Sequence, residues 1–208
     1  MSRRQIMACL ALALAFTPLA LLPGTARAQQ TASQVIERLD TALLDVMRNA
    51  VVGYRGRAER LRPVLLQTYD LSQMGQVAVG RTWAATPPDK QRELINLFGE
   101  FSVANYASRF NGYSGERIEV LGEQPAADGR VLVRTQIVRQ GDRPVPINYL
   151  MRRDGNTWKV VDVYLDNTIS EVARRRSEFS SVIARGGMDA LLQSLRERIA
   201  QIERETPR

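Results

Sequence analysis

Four consecutive segments between residues 116 and 166 have the residue alternation of β-strands, and they constrain the fold more than any other part of the chain. In each segment, β-branched, aliphatic or aromatic residues recur at every second position, which is the pattern of a strand with one buried face. In the second segment, for example, Val131, Val133 and Ile137 fall on one face. The four predicted strands are Arg117–Gly122, Arg130–Gln140, Val145–Arg153 and Thr157–Asp166.

Short turn motifs separate the four segments. They contain Asp128-Gly129, Gly141-Asp142 and Asp154-Gly155-Asn156, and these residue types tolerate the positive φ of tight turns. Connections this short join antiparallel neighbours, because a parallel crossover needs a dozen or more residues. We therefore expect a four-stranded antiparallel meander. Alone, this sheet would expose an apolar face to water, so helices must cover it.

The rest of the chain after residue 30 has helical patterns, before and after the sheet. The longest helix is predicted from about Asp89 to Phe110, because Thr86–Asp89 carries two prolines suited to a first turn. Its apolar stripe makes it the expected partner of the sheet. The predicted fold class is therefore α+β, a four-stranded antiparallel meander packed against about six α-helices, with an apolar cavity between the two layers. The predicted helices are Thr31–Asn49 with Ser33 as N-cap, Arg57–Tyr69 with a kink or start at Pro63, Leu71–Val79, Asp89–Phe110, Ser170–Arg185 and Met188–Glu205.

The first 28 residues have the pattern of a secretory signal. Two arginines precede the mostly apolar segment Ile6–Leu22, and Ala26-Arg27-Ala28 fits a cleavage site. We expect residues 1–28 to be removed, a mature chain that starts at Gln29, and one domain over residues 29–208. The alternative is an uncleaved membrane anchor, which needs about 20 apolar residues and no cleavage site.

Composition excludes several kinds of chemistry. The chain has no histidine, and its one cysteine, Cys9, lies in the predicted signal. Catalytic triads, imidazole bases, thiol catalysis and histidine or thiolate metal sites are therefore excluded from the mature chain, and we expect neither a cofactor nor a metal. Loss of the signal's three arginines lowers the formal charge from +7 to +4. No basic run with interleaved aromatic residues is present, so nucleic acid is not an expected partner.

Asp162 is the strongest candidate for acid–base chemistry. Strict alternation places it on one strand face with Trp158, Val160 and Tyr164. A carboxyl group in an apolar pocket has a raised pKa and can transfer protons. The alternative, which we favour, is a structural aspartate bound to backbone donors or to an arginine, holding the sheet to a helix.

Seven motifs along the mature chain, taken in order and spacing, point to a known family. Directly before the first motif, Tyr69 stands where phenylalanine is usual, and after the last strand Asn167 stands where glycine is usual. Asparagine is the next best residue for positive φ, so this turn should survive. The motifs are Asp70–Met74, Val79–Trp83, Val133–Thr135, Pro144–Tyr149, Trp158–Val163, Arg176–Phe179 and Gly186–Leu192.

Together these motifs resemble the MlaC family, the periplasmic lipid-binding components of a toluene-tolerance type ABC transport system. Tyr106–Tyr113 and Tyr164–Ser170 resemble its hopanoid-associated branch. The resemblance implies a sheet backed by helices that hold acyl chains in a cavity. It also implies transport across the periplasm between an inner-membrane lipid ABC transporter complex and an outer-membrane lipoprotein complex. The implied cargo is a phospholipid, a hopanoid or both.

Three functions are consistent with this sequence. The favoured one is a soluble periplasmic lipid carrier without enzymatic activity, since moving a free lipid through water exposes its chains at about 0.8 kcal/mol per CH₂. The second is a lipid-modifying enzyme with Asp162 as base and Tyr149 or Tyr164 as hydrogen-bond donor. The third is an adaptor with a solid core that only docks other proteins.

The predicted lipid-binding wall combines apolar residues of elements that should face each other. The same aromatic and aliphatic pattern is also that of a dry core, and the two are not separated by sequence. Tyr149 and Val160 share a sheet face only if the turn between their strands has two residues. The predicted wall residues are Phe98, Phe101 and Phe110 from the long helix and Ile147, Tyr149, Met151 and Val160 from the sheet, with Met74 and Val77 at the rim.

Overall fold

The structure is a computed structural model that describes residues 30–49 and 52–206. The predicted signal, residues 1–28, lies outside this range. Helices precede the sheet and a long helix follows it, so the order of elements agrees with the expectation from sequence. The helices are α1 (Ala32–Arg48), α2 (Gly53–Thr68), α3 (Leu71–Val79), α4 (Thr82–Ala85), α5 (Pro88–Arg109) and α6 (Glu171–Glu205). The strands are β1 (Arg117–Pro125), β2 (Val131–Val138), β3 (Val145–Asp154), β4 (Thr157–Leu165) and β5 (Ile169–Ser170).

The strands form one antiparallel sheet in the order β1-β2-β3-β4-β5. The predicted meander is therefore confirmed. The sheet has one strand more than expected, because the two residues of β5 pair with the end of β4 immediately before α6 begins. The turn between β3 and β4 has two residues, Gly155 and Asn156, since Asp154 pairs with Thr157.

A β-bulge at Val161 changes which face of β4 each side chain occupies. Met151 pairs with Val160, whereas Leu150 pairs with Asp162, so Val161 is the extra residue. A bulge reverses the alternation beyond it. Val160 and Val163 consequently lie on the same sheet face, and Asp162 lies on the other. The prediction that Asp162 shares a face with Val160 is wrong for this reason.

The helix ends show which local signals decide the boundaries. Thr31, and not the predicted Ser33, caps α1, because its hydroxyl accepts from the Gln34 amide while the Gln34 side chain returns to the Thr31 amide. α2 begins at Gly53, four residues before the predicted start, and continues through Pro63. α6 is interrupted at Gly186-Gly187, where Gly187 has a φ of +71°, so two helical segments meet at the predicted break.

Two helices have different relations to the sheet from those expected. α1 packs directly on β1, β2 and β4, whereas α5 packs mainly on α2, α3 and α6. The prediction that α5 is the direct packing partner of the sheet is wrong. Between α5 and the sheet lies a space lined by side chains of both, and this space is the candidate site.

Candidate functional site

A cavity of about 680 Å³ lies between α5 and one face of the sheet. This volume falls within the range of about 300–1,000 Å³ that is usual for small-molecule sites. Met47 of α1, Tyr69 after α2 and Met74 of α3 complete its inner wall, and Val172 at the start of α6 closes one side. The cavity is open to solvent where α5 ends and β1 begins.

One face of α5 forms the helical wall of the cavity. Its lining residues recur at intervals of three and four, so they lie in a single stripe along the helix. Phe98 and Phe101 are buried and apolar at the inner end, whereas Arg109 at the outer end is exposed. The wall therefore changes from apolar to polar toward solvent. The stripe consists of Phe98, Phe101, Ser102, Asn105, Tyr106, Arg109 and Phe110.

The sheet wall follows from the strand register. Tyr149 pairs with Val163, and Ile147 pairs with Leu165. Directly paired residues of antiparallel strands point to the same face, and all four line the cavity. Ile137 of β2 extends this apolar surface toward the open end.

Three tyrosines bring polar groups into this apolar wall. The hydroxyl groups of Tyr69 and Tyr106 are hydrogen bonded to each other, and Tyr106 stacks on Phe110 with ring centroids 5.6 Å apart. Burial raises the pKa of Tyr106 to about 12 and the pKa values of Tyr69 and Tyr149 well above the usual 10. All three hydroxyl groups are therefore neutral at physiological pH and can donate hydrogen bonds.

Asp40 of α1 is a buried carboxyl group that the sequence prediction missed. Its side chain is only 5% exposed, and neither carboxyl oxygen has a hydrogen-bond partner within the described residues. Burial, with a smaller contribution from Glu37, raises the pKa of Asp40 to about 7. Its charge in turn raises the pKa values of the three cavity tyrosines. Its position could have been recognised, because it follows Ile36 by four residues on the apolar face of the helix.

The mouth of the cavity is polar. Glu116 at its edge accepts a hydrogen bond from the Ser114 amide at 2.6 Å and pairs with Arg139 at 3.1 Å. The hydrogen bond from Ser114 is the main reason that the pKa of Glu116 is lowered. Gln140 and Asp142, in the loop between β2 and β3, also line the mouth. These groups leave the entrance hydrated while the interior is apolar.

Arg175 of α6 is held against the cavity by three interactions. Its guanidinium lies 4.5 Å from the centroid of the Phe101 ring. It also pairs with Glu178 at 2.9 Å and with Glu171 at 3.8 Å. Burial lowers its pKa, and the two carboxylates oppose that effect. Arg175 thus links the start of α6 to the cavity wall, and its charge is paired with two carboxylates.

The structure brings six of the nine predicted wall residues together around the cavity. Val77 is 43% exposed on α3 and is not among the lining residues. Met151 and Val160 are also absent from the lining, because both are fully buried in the hydrophobic core. The six that line the cavity are Met74, Phe98, Phe101, Phe110, Ile147 and Tyr149.

Asp162 has a structural environment. Its Oδ1 accepts hydrogen bonds from the amides of Val163 at 2.8 Å and Val172 at 3.1 Å, and its Oδ2 accepts from the Ser170 hydroxyl at 2.6 Å. These contacts tie β4 to the first turn of α6, where a negative charge is favourable. Asp162 does not line the cavity. The favoured structural interpretation of this residue agrees with its contacts.

The remaining lining residues were missed for identifiable reasons. Tyr106 and Arg109 continue the α5 stripe at helical spacing, so extending that stripe would have found them. Val163 and Leu165 are displaced to the cavity face by the bulge, which no residue in the sequence marks. Met47 lines the cavity because of the way α1 packs across the sheet, which is a feature of the tertiary structure.

Fold and site together define a class of protein: an antiparallel sheet and a helical layer enclose an open cavity with an apolar interior and a polar mouth. The sequence model of one family, described as MlaC protein, matches residues 37–197. The chain therefore belongs to the MlaC family. A phospholipid-binding protein from Ralstonia solanacearum, solved in complex with a phospholipid, has the same fold, with a TM-score of 0.73 and 24% sequence identity over 83% of this chain and 99% of that one. Within residues 30–49 and 52–206, no helix is long and apolar enough to cross a membrane.

Proposed function

We propose that this protein is a periplasmic carrier that encloses the apolar part of a lipid in the cavity between α5 and the sheet. The main observation in support of this proposal is the cavity, which has aromatic and aliphatic side chains inside and charged groups at the mouth. Removing a CH₂ group from water is worth about 0.8 kcal/mol. A cavity of this character therefore suits a molecule with apolar chains and one polar end.

The apolar lining of the cavity and the family support a proposal for the cargo. We propose a phospholipid, a hopanoid or both, with the apolar part against Phe98, Ile147 and Tyr149 and the polar end at the mouth. The related Ralstonia protein, described as phospholipid-binding, supports the phospholipid. The proposed lipid-contacting residues are those of the predicted set that line the cavity.

The proposed route runs between the two membranes. We propose that the segment 1–28 directs export and is removed near Ala28, leaving residues 29–208 as one lipid-binding domain. The carrier then exchanges lipid with an inner-membrane ABC transporter complex and an outer-membrane lipoprotein complex. Membership of the MlaC family supports this route.

Two observations favour the carrier over its alternatives. A solid-core adaptor does not need an apolar cavity of about 680 Å³. The proposed catalytic base, Asp162, points away from the cavity and is occupied by two backbone amides and Ser170. An enzyme acting in this cavity would need a different acid–base group.

Native mass spectrometry of the exported protein, purified without detergent, tests the function. A carrier is expected to retain about one lipid per chain, and chloroform–methanol extraction followed by mass analysis identifies the lipid. Protein that carries no lipid when isolated, and takes up none from vesicles, contradicts the proposal. Release of chemically altered lipid by the purified protein would favour an enzyme.

A further inference from the structure

Three exposed apolar side chains surround the mouth of the cavity. Tyr113, Val145 and Ile169 are 41%, 53% and 50% exposed. Single exposed apolar residues are ordinary on a protein surface. These three, however, belong to three separate segments of the chain, and each adjoins in sequence or pairs with a residue that lines the cavity. We call them the mouth patch.

Strand register places two members of the patch on the cavity side of the sheet. Val145 pairs with Ile137, and Ile169 pairs with Leu165. Since paired residues share a face and both partners line the cavity, Val145 and Ile169 continue the apolar wall outward into solvent. Tyr113 lies between Gly112 and Ser114, which both line the mouth on the opposite side.

Arginines accompany the patch. The guanidinium of Arg48 lies 5.1 Å from the centroid of the Tyr113 ring, Arg109 lines the mouth, and Arg143 precedes Val145 by two residues. Within the described part of the chain, none of these three forms an ion pair. Two exposed carboxylates lie at the same end of the sheet: Asp142 lines the mouth, and the amide of Asp166 donates to the carbonyl of Pro146, next to Val145. The third acid, Glu116, is paired with Arg139. These four arginines against three acids leave a small excess of positive charge.

We propose that the mouth patch docks the cavity entrance directly onto the surface of an anionic phospholipid bilayer. This inference rests on the proposed carrier function and names the membrane surface on which the carrier sits when it reaches the two proposed complexes. The composition of the mouth patch suits the headgroup region of a bilayer. Tyrosine rings are enriched at the membrane interface, and arginines attract anionic lipids. With the mouth seated there, lipid chains pass between bilayer and cavity without crossing water.

The size of the patch favours a bilayer over a protein as the occupant. A stable protein interface buries about 800 Å² on each partner, which three half-exposed side chains do not provide. Membrane association has no such threshold, because it increases with each inserted side chain and each nearby cation. The resulting attachment is weak and reversible, as a shuttling carrier requires.

The chain offers a matched control for this proposal. Leu66, Val77 and Leu121 are exposed to similar extents, 45%, 43% and 48%, but unlike the patch residues none of them adjoins in sequence or pairs with a residue that lines the cavity. They lie on α2, on α3 and at the bulge of β1. Serine replacement of either set removes comparable exposed apolar surface, so the two triple variants differ in where that surface lies.

The test is co-flotation of the exported protein with vesicles of phosphatidylcholine and phosphatidylglycerol in equal amounts, at low salt. We expect wild type to bind, and the triple variant Tyr113→Ser, Val145→Ser, Ile169→Ser to lose about tenfold in partition coefficient, as follows from partial loss of three apolar transfer energies. The variant Leu66→Ser, Val77→Ser, Leu121→Ser should stay within about twofold of wild type. Replacing Arg48 and Arg143 with glutamine should weaken binding to these anionic vesicles. Added salt should weaken it as well. The same arginine variant should bind vesicles of pure phosphatidylcholine as wild type does.

Several results would overturn the docking proposal. They are absence of wild-type binding to the anionic vesicles, equal losses in the two serine variants, or patch variants that lose binding only to purified membrane protein complexes. The melting temperature of each variant shows whether it is folded. If the triple variant does not fold, the single variant Val145→Ser is tested in its place. The lipid content of the isolated protein separates this proposal from the carrier function: lipid-free protein that still binds vesicles through the patch contradicts only the carrier, whereas lipid-loaded protein that ignores vesicles contradicts only the docking.

Discussion

The hydroxyl groups of Tyr69 and Tyr106 form a hydrogen bond that joins the end of α2 to α5 at the cavity wall. The two rings meet edge to face with centroids 6.0 Å apart. Since α5 makes few contacts with the sheet, links of this kind hold it in place while leaving the cavity open. The pair therefore stabilises the wall without filling the space behind it.

Replacing Tyr106 with phenylalanine should lower the free energy of unfolding by about 1–3 kcal/mol, because it removes this bond and leaves the buried Tyr69 hydroxyl without its partner. Urea unfolding of Tyr69→Phe, Tyr106→Phe and the double variant gives the coupling between the two groups. Tyr164→Phe is the control, since that hydroxyl lies on the other sheet face. Strictly additive losses would show that the two hydroxyl groups do not stabilise each other.

Asp40 should make the protein less stable as the pH rises from about 4 to about 7. The pKa of Asp40 is about 7 in the folded protein, whereas the ordinary aspartate pKa, which applies in the unfolded chain, is 3.8. The folded state therefore binds a proton that the unfolded state has already lost, and stability falls with pH across that interval. Above about pH 7 the carboxyl group is ionised in both the folded and the unfolded state, so the loss of stability is complete.

Asp40→Asn tests this by removing the ionisation. We expect the variant to be more stable than wild type at pH 8 by at least about 1 kcal/mol, at 1.36 kcal/mol for each pKa unit, and to resemble wild type near pH 4. Denaturant unfolding at several pH values is the measurement. Asp45→Asn, an exposed change on the same helix, should leave the pH dependence unaltered. A wild-type stability that does not fall between pH 4 and 7 would contradict the raised pKa.

Asp162→Asn should affect stability and not lipid retention. The carboxylate accepts hydrogen bonds from two amides and Ser170, and an asparagine side chain cannot accept all of them. The expected loss is about 1–3 kcal/mol. Thermal unfolding and lipid analysis of the variant, compared with the exposed change Asp166→Asn, provide the check. A normally stable Asp162→Asn protein that holds lipid, but fails to convert it where wild type succeeds, would restore the enzyme hypothesis.

The elements of this fold were predictable because their signals are local. The alternation in β2, from Val131 to Ile137, survives intact in the sheet, and Gly186-Gly187 interrupts the last helix as expected. Asp70 caps α3 through a hydrogen bond to the Gln73 amide, as its position suggested. In each case the residue that decides the structure lies within the element or directly beside it.

The cavity was predictable only in part because its wall depends on long-range register. The bulge at Val161 exchanges the faces of Asp162 and Val163, and two consecutive valines carry no mark of it. Val160 lies outside the wall although it shares a sheet face with Val163, because tertiary packing buries it in the core. Periodicity identifies which face of a strand or helix is apolar. It does not show which part of that face packs against another element and which part lines a cavity.

The last prediction separates these two surfaces. Ile147 and Val160 are β-branched residues on the same sheet face, but Ile147 lines the cavity and Val160 is fully buried in the core. Val160→Trp should overpack the core and lower stability by about 1–3 kcal/mol or more. Ile147→Trp extends into the cavity, so the stability of lipid-free protein should hold or rise while bound lipid falls. Tyr149→Trp should behave like Ile147→Trp.

Thermal unfolding after delipidation, together with lipid quantified per mole of folded protein, distinguishes the outcomes. The expected pattern is opposite for the two positions: Val160→Trp loses stability and keeps its lipid content, whereas Ile147→Trp keeps stability and loses at least about half of its lipid. If both cavity variants lost stability with unchanged lipid, the space between α5 and the sheet would behave as core, and lipid would have to bind elsewhere. The comparison is informative because both substitutions add the same ring to the same face of one sheet, so only the presence of the cavity differs.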